Sequence, residues 1–196
     1  EYVSYVFRRQ RVSKHSKYAT VDQCIAARGY IRNDQELYTR VAEKTSIKKQ
    51  VERGLLVKMT LSPPYVGYTT LDFAPLFRAA KESAMDEDTL LIHALIQDRQ
   101  PLSRREIIDH SPLSAERTAE VLGAMSKQSL LYQDADSYYS IVPSRGIGNV
   151  QALTEIVRMH FDDFGIFSAE GLAQFMGMRM GVTREILANL EDEGLL

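Results

Sequence analysis

The sequence predicts a mainly α-helical fold with short β-hairpins, built as three tandem copies of one unit. Two observations point there. First, one pattern recurs three times: a short helix, a turn, a longer helix, and a Gly-Leu-Leu-like stop. One copy runs from Asp34-Gln35-Glu36-Leu37 to Arg53-Gly54-Leu55-Leu56. A second runs from Ser103-Arg104-Arg105-Glu106-Ile107 to Gln128-Ser129-Leu130-Leu131, and a third from Ser168-Ala169-Glu170-Gly171-Leu172 to Glu193-Gly194-Leu195-Leu196. Self-similarity at this period marks an array of small units. Second, the first two stops are followed by two short apolar runs separated by turn residues, the pattern of a hairpin. A helix-turn-helix followed by a hairpin is a winged helix, so three tandem winged-helix domains are expected.

The elements follow in order. Residues 1–17 form a basic arm spotted with Tyr2, Tyr5 and Phe7, in which alternation over 2–7 allows a short strand. The first winged helix is expected over 18–84. Its first helix, near Val21–Arg28, should bury Val21, Cys24, Ile25 and Ala26, and Gly29 suits its C-terminal cap. Asn33 or Asp34 can cap the second helix, which should turn Leu37, Tyr38 and Val41 inward. The wing comprises Leu55–Leu61, a tip at Ser62-Pro63-Pro64-Tyr65-Val66-Gly67, and Tyr68–Phe73, since two prolines cannot sit inside a sheet. A linking helix is expected over Phe73–Ala84. The second winged helix spans 85–146. Asp86 caps a helix bearing Leu90, Leu91, Ala94 and Leu95, Ser103 opens the next, and Ser114 caps Ala115–Gln128. The third spans 147–196, with Leu153, Ile156, Val157 and Val182, Ile186, Leu187, Leu190 inward and its wing cut off at Leu196.

One spacing is irregular. From the inward residue of the second helix to the stop, the second and third copies run from Ile107 to Ser129 and from Leu172 to Gly194, but the first only from Leu37 to Gly54. The first copy is about five residues short, and the shortage is expected in the turn near Lys44–Ile47. It means either a short third helix or residues skipped there, and the second is favoured. Glu1 is not preceded by Met and the last wing is absent, so the chain reads as a fragment of a longer protein.

Composition narrows the function. The 196 residues are 44% hydrophobic and 26% charged, as in ordinary globular proteins. A single cysteine, Cys24, excludes an internal disulfide or a cysteine zinc site and suits a cytoplasmic setting. The apolar run Thr89–Ile96 is too short to span a bilayer. His15, His93, His110 and His160 share no ligand spacing, and neither Gly146-Ile147-Gly148 nor Gly177-Met178-Arg179-Met180-Gly181 matches a phosphate-binding glycine loop. No cofactor, metal or catalytic residue is therefore expected in this chain, and no enzyme activity. Net charge is -2, but residues 1–60 carry +7 and residues 61–196 carry -9. Either the first part meets a polyanion or each set is a solvated face.

Candidate nucleic-acid contacts follow from the motif. The third helix of a helix-turn-helix enters the major groove by its N-terminal residues. In the first copy these are Thr45, Ser46, Lys48, Lys49 and Gln50, which offer donors and acceptors suited to phosphates and base edges. Their counterparts are Arg117 in the second copy and Arg184 in the third. The arm adds Arg8, Arg9, Arg11, Lys14 and Lys17, either along phosphates or as the basic edge of a packed strand. Tyr65 at the wing tip can wedge against a duplex or fold back on Pro64. Met176, Met178 and Met180 form either an adaptable greasy patch or core filler.

The segments Phe167–Phe175 and Ile186–Leu196 resemble winged-helix domains. The array resembles the tandem winged helices in the C-terminal regions of Lhr-type helicases and in AlkZ-type DNA glycosylases. The Gln-X-Gln active-site motif of those glycosylases has no match, since Gln97 and Gln100 stand three apart, and helicase motor motifs are absent. What the resemblance implies is DNA binding, duplex or forked, beside a catalytic part outside this chain. Alternatives are a protein-interaction scaffold, with a partner on the second and third units, and a transcriptional regulator.

Overall fold

The computed structural model describes residues 17–62, 65–81, 84–164 and 168–195. The arm residues Arg8, Arg9, Arg11 and Lys14 lie outside the described residues, as do the tip prolines Pro63 and Pro64.

The chain begins with α1 (Val21–Arg28), α2 (Asp34–Arg40) and α3 (Ile47–Glu52), followed by β1 (Val57–Thr60), β2 (Val66–Thr69) and α4 (Ala74–Ala79). Next come α5 (Glu87–Arg99), α6 (Arg104–His110), α7 (Ala115–Lys127), β3 (Leu131–Gln133) and β4 (Tyr139–Ile141). The chain closes with α8 (Asn149–Phe164), α9 (Ala169–Met176) and α10 (Met180–Asp192). Side-chain caps set most helix starts. Thr20, Asn33, Ser46, Asp86, Ser114 and Ser168 each accept a backbone N–H from the first turn. Ser103 and Glu106 form a reciprocal capping box.

The three stops share one geometry. Gly54 (φ 70°), Ser129 (φ 58°) and Gly194 (φ 70°) are all left-handed. In each, the next residue's N–H returns to a carbonyl in the preceding turn: Leu55 to Gln50, Leu130 to Met125, Leu195 to Leu190. This is the helix-ending bond that a left-handed residue makes possible.

The hairpins do not stand apart. β1 pairs antiparallel with β2 and also with β3, and β3 pairs with β4, giving one sheet in the order β2-β1-β3-β4. Lys58 lies opposite Gln133 and Met59 opposite Tyr132 at the junction. The two wings thereby cover each other's edges, which otherwise invite pairing with other chains. One apolar cluster joins all three expected units: Met59, Leu61 and Phe77 from the first, Val142 from the second, and Leu153, Ile156, Leu172, Ile186 and Leu190 from the third. Smaller clusters fill the helices of the first unit around Ile25 and Leu37 and of the second around Ile92 and Met125. Helix α8 packs against α10, α4 and α1.

Several expected inward residues face the other way. Ala26 is exposed and Arg28 buried in its place. Tyr38 is exposed, and so are Leu90, Leu91 and Ala94, because α5 turns Thr89, Ile92 and Ile96 into the core. A helix with apolar residues nearly all round does not reveal its inner face by periodicity. The missing length in the first unit lies in the helix and not the turn. Helix α3 has 6 residues where α7 and α10 each have 13. The turn before it is ordered: Ile47 N–H donates to Asp34 Oδ1 at 2.8 Å, and Thr45 N–H to the Glu43 carbonyl at 3.1 Å.

Candidate nucleic-acid interface

Lys17, the last residue of the arm, and the third helix meet at one place. Tyr18 forms a parallel bridge with Val41, its N–H donating to the Arg40 carbonyl and its carbonyl accepting from Ala42 N–H, each at 2.8 Å. This pairing fixes the end of the arm beside the α2–α3 turn. Lys17 donates from Nζ to the Tyr38 carbonyl. A shallow cleft of about 470 Å³ follows, lined by Lys17, Lys44, Ser46 and Lys49 together with Tyr38 and Glu43. Glu43 is turned to structural use, since its carboxylate accepts from Val21 N–H at 3.2 Å. Lys44 and Lys49 are exposed. Three ammonium groups from separate parts of the sequence thus border one concavity, and such a patch attracts phosphates in a salt-dependent way.

Lys48 points elsewhere. It pairs with Glu52 at 3.7 Å, both exposed, and borders a second groove of about 400 Å³ between α3 and the β3–β4 turn. Arg32 and Lys58 join it there, opposed by Asp34, Glu52 and Asp134. This groove has balanced charge.

Arg32 is held by the most concentrated charge cluster in the described residues. Glu36, buried, receives Arg28 Nη2 at 3.1 Å, Arg40 Nε at 3.2 Å, Arg32 Nε at 3.2 Å and Arg32 N–H at 2.8 Å. Burial pushes the Glu36 carboxyl up. The Arg32 N–H and the guanidiniums of Arg28, Arg32 and Arg40 outweigh it together and hold the group below its usual range. The three arginines hold the loop from Gly29 to Asn33 onto α2. Sequence reading missed this cluster. The only available signal was Arg28-X3-Arg32-X3-Glu36-X3-Arg40, which reads equally well as a solvated face.

Other expected contacts are placed differently. Gln50 and Thr45 are buried, and Gln50 Nε2 donates to Thr45 Oγ1 at 3.0 Å. They brace the turn from below and do not reach solvent. Gln50 is the fourth residue of α3, one turn after the buried Ile47, and so faces the core, as the fourth residues of α7 and α10 also do. Tyr65 folds back from the wing: its ring meets Tyr30 edge-on at 5.4 Å between centroids, and the Arg32 guanidinium lies 5.6 Å from its centre. Arg117 is locked to Asp88 at 2.6 Å, Glu120 at 3.1 Å and Asp86 at 3.8 Å, which fastens the start of α7 to the start of α5. Arg184 is exposed on α10 and borders none of the clefts described here. Thr118 and Thr183, eleven residues before their respective stops, are fully buried, with hydroxyls bound to Ser111 Oγ and the Arg179 carbonyl. Among the described residues, no cluster of His, Cys, Asp and Glu is suited to a metal ion, and no helix is long and apolar enough to cross a membrane.

No family model matches the chain, and no curated protein matches it. Among solved structures, the chain is similar in fold to the DNA glycosylase AlkZ of Streptomyces sahachiroi, with a TM-score of 0.74 and 12% sequence identity. The match covers 96% of this chain and 64% of that one, so the chain spans less than two thirds of the glycosylase. The likeness is one of architecture: a mainly helical chain with a small antiparallel sheet of hairpins.

Proposed function

We propose that this chain is a nucleic-acid-binding winged-helix array, the DNA-engaging part of a larger DNA-processing protein of the helicase or repair kind, working in the cytoplasm or on the nucleoid. The observation that carries this reading is the convergence of Lys17, Lys44 and Lys49 on one cleft, where the basic arm joins the helix-turn-helix. Arg8, Arg9, Arg11 and Lys14, which precede Lys17 in sequence, are proposed as further phosphate contacts. Lys48, Arg32 and Lys58 border the separate, charge-balanced groove and are not part of this cleft. The fold likeness to a DNA glycosylase agrees with this reading. In this role the chain positions DNA for chemistry done elsewhere.

The test is fluorescence-anisotropy titration of duplex, forked and single-stranded DNA at two salt concentrations. Affinity should fall steeply with salt, and changing Lys44 and Lys49 to Ala should weaken binding at every sequence. Binding that is absent at low salt, or unchanged in the double variant, refutes the proposal.

A second reading, a protein-interaction scaffold, has one specific support. Leu90 and Leu91 are 52% and 42% exposed, side by side on α5. If no DNA form binds, a pull-down comparing the parent chain with Leu90→Ser/Leu91→Ser is the next experiment.

A further inference from the structure

A third cleft, about 320 Å³, lies where the three expected units meet. It shares no residue with the cleft bordered by Lys17 and Lys49. Its walls come from the end of α4, the end of α7, the start of α8 and the α9–α10 turn. Three cations line it: Lys81, Lys127 and Arg179. No carboxylate is among the described lining residues, and no ion pair of these three occurs among the described residues. Arg117, Arg145 and Arg158, by contrast, each meet a carboxylate.

We propose that this cleft binds a nucleotide, free or as one unit of a nucleic-acid strand, its phosphate facing Lys81, Lys127 and Arg179 and its base lying on Met178 and Val182. Its size suits such a ligand, since small-molecule sites begin near 300 Å³. The apolar side is supplied by Met178 and Val182, both half-buried, and polarizable Met side chains adapt to flat ligands. A second observation calls for a donor as well as an anion. Gln128 lines the cleft, and its Oε1, shut off from solvent, meets no donor among the described residues. A sugar hydroxyl or an exocyclic amine would supply one, whereas bare phosphate would not. Helix α10 adds weight on the anion side. Its N-cap residue, Arg179, makes no side-chain cap, so the helix presents its positive end uncapped beside the cations. Burial also lowers the Lys81 pKa, and a bound phosphate would offset that cost.

The decisive experiment follows backbone amide shifts by NMR while thymidine 5′-monophosphate, thymidine, inorganic phosphate and a short oligothymidylate are added at constant ionic strength. Gly177 and Met178 lie in the cleft wall and report on it directly. The nucleotide should shift them saturably, thymidine should bind roughly tenfold or more weakly, and Lys127→Gln/Arg179→Gln should lose about as much again. Both substituted side chains are exposed, so the variant should fold normally, and its unperturbed spectrum elsewhere verifies that. Tighter binding of the oligonucleotide than of the monophosphate identifies a strand contact, and the reverse identifies a free nucleotide site. Absence of a localised shift, or an equal shift in the double variant, overturns the proposal. The Lys44→Ala/Lys49→Ala variant keeps this cleft intact, so failure here and failure of duplex binding are read separately.

Discussion

The hydroxyl of Ser129 donates to the carbonyl oxygen of Thr60 across 2.8 Å, from a left-handed backbone position with φ of 58°. The equivalent stops use Gly54 and Gly194, which adopt that conformation without strain. Serine accepts the strain here because its side chain ties the end of α7 to the end of β1, and so the second unit to the first. Ser129→Ala should therefore keep the strain and lose the bond, lowering stability by about 1–2 kcal/mol. Ser129→Gly loses the bond but relieves the strain and should cost less. Urea denaturation of the two variants orders them. Equal losses would show that the left-handed position holds no strain, and an unchanged stability in Ser129→Ala would show that the hydroxyl contributes nothing.

Glu36 should dominate acid stability. Its folded-state pKa is depressed, so its pairing stabilises fully above the ordinary carboxylate value of 4.5 and is lost as pH falls through the depressed value. Glu36→Gln removes the buried carboxylate that Arg28, Arg32 and Arg40 share and should cost about 3–5 kcal/mol at neutral pH. The deficit should shrink as pH falls below 4.5, because the parent chain then loses the same pairing. Denaturation curves across that range check the sign. A deficit independent of pH would show that the carboxylate charge is not what holds the three arginines.

The helix caps and the three stops were legible in the sequence because they are local. Gly54 and Gly194 announce themselves, and Ser129 was recognisable by its place before Leu130-Leu131. The joining of the wings was not legible, because the pairing of Lys58 with Gln133 depends on contacts far apart in the chain. The faces of short helices also misled. In α3, Lys49 and Gln50 are adjacent and equally polar, yet one borders the basic cleft and the other supports Thr45. The Lys17–Lys49 cleft was half legible: both residues stood out as basic, but only the bridge between Tyr18 and Val41 brings them together.

That adjacency gives a paired test. Gln50→Ala removes a buried hydrogen bond and should cost about 1–2 kcal/mol in stability, with no change in the salt dependence of DNA binding. Lys44→Ala/Lys49→Ala should leave stability nearly unchanged and reduce the slope of log affinity against log salt by about two. Thermal denaturation and salt-series anisotropy on the same samples separate the effects. If Gln50→Ala changes the slope, the turn opens on DNA and the side chain reaches it.

Arg117 tests the alternative that the second helix-turn-helix also touches DNA. Its position at the start of α7 matches a groove contact, but three carboxylates already surround it, with Asp88 at 2.6 Å. To reach a phosphate it would have to leave partners that raise its own pKa, chiefly through the hydrogen bond to Asp88. The phosphate would also have to approach Asp86 and Asp88, which repel it. Arg117→Ala should consequently leave DNA affinity at low salt unchanged, whereas Asp88→Asn, which frees part of the guanidinium and removes a negative charge, should raise it slightly. Anisotropy on the two variants decides the matter. A clear loss of affinity in Arg117→Ala would extend the interface to the second unit and show that its ion pairs open on binding.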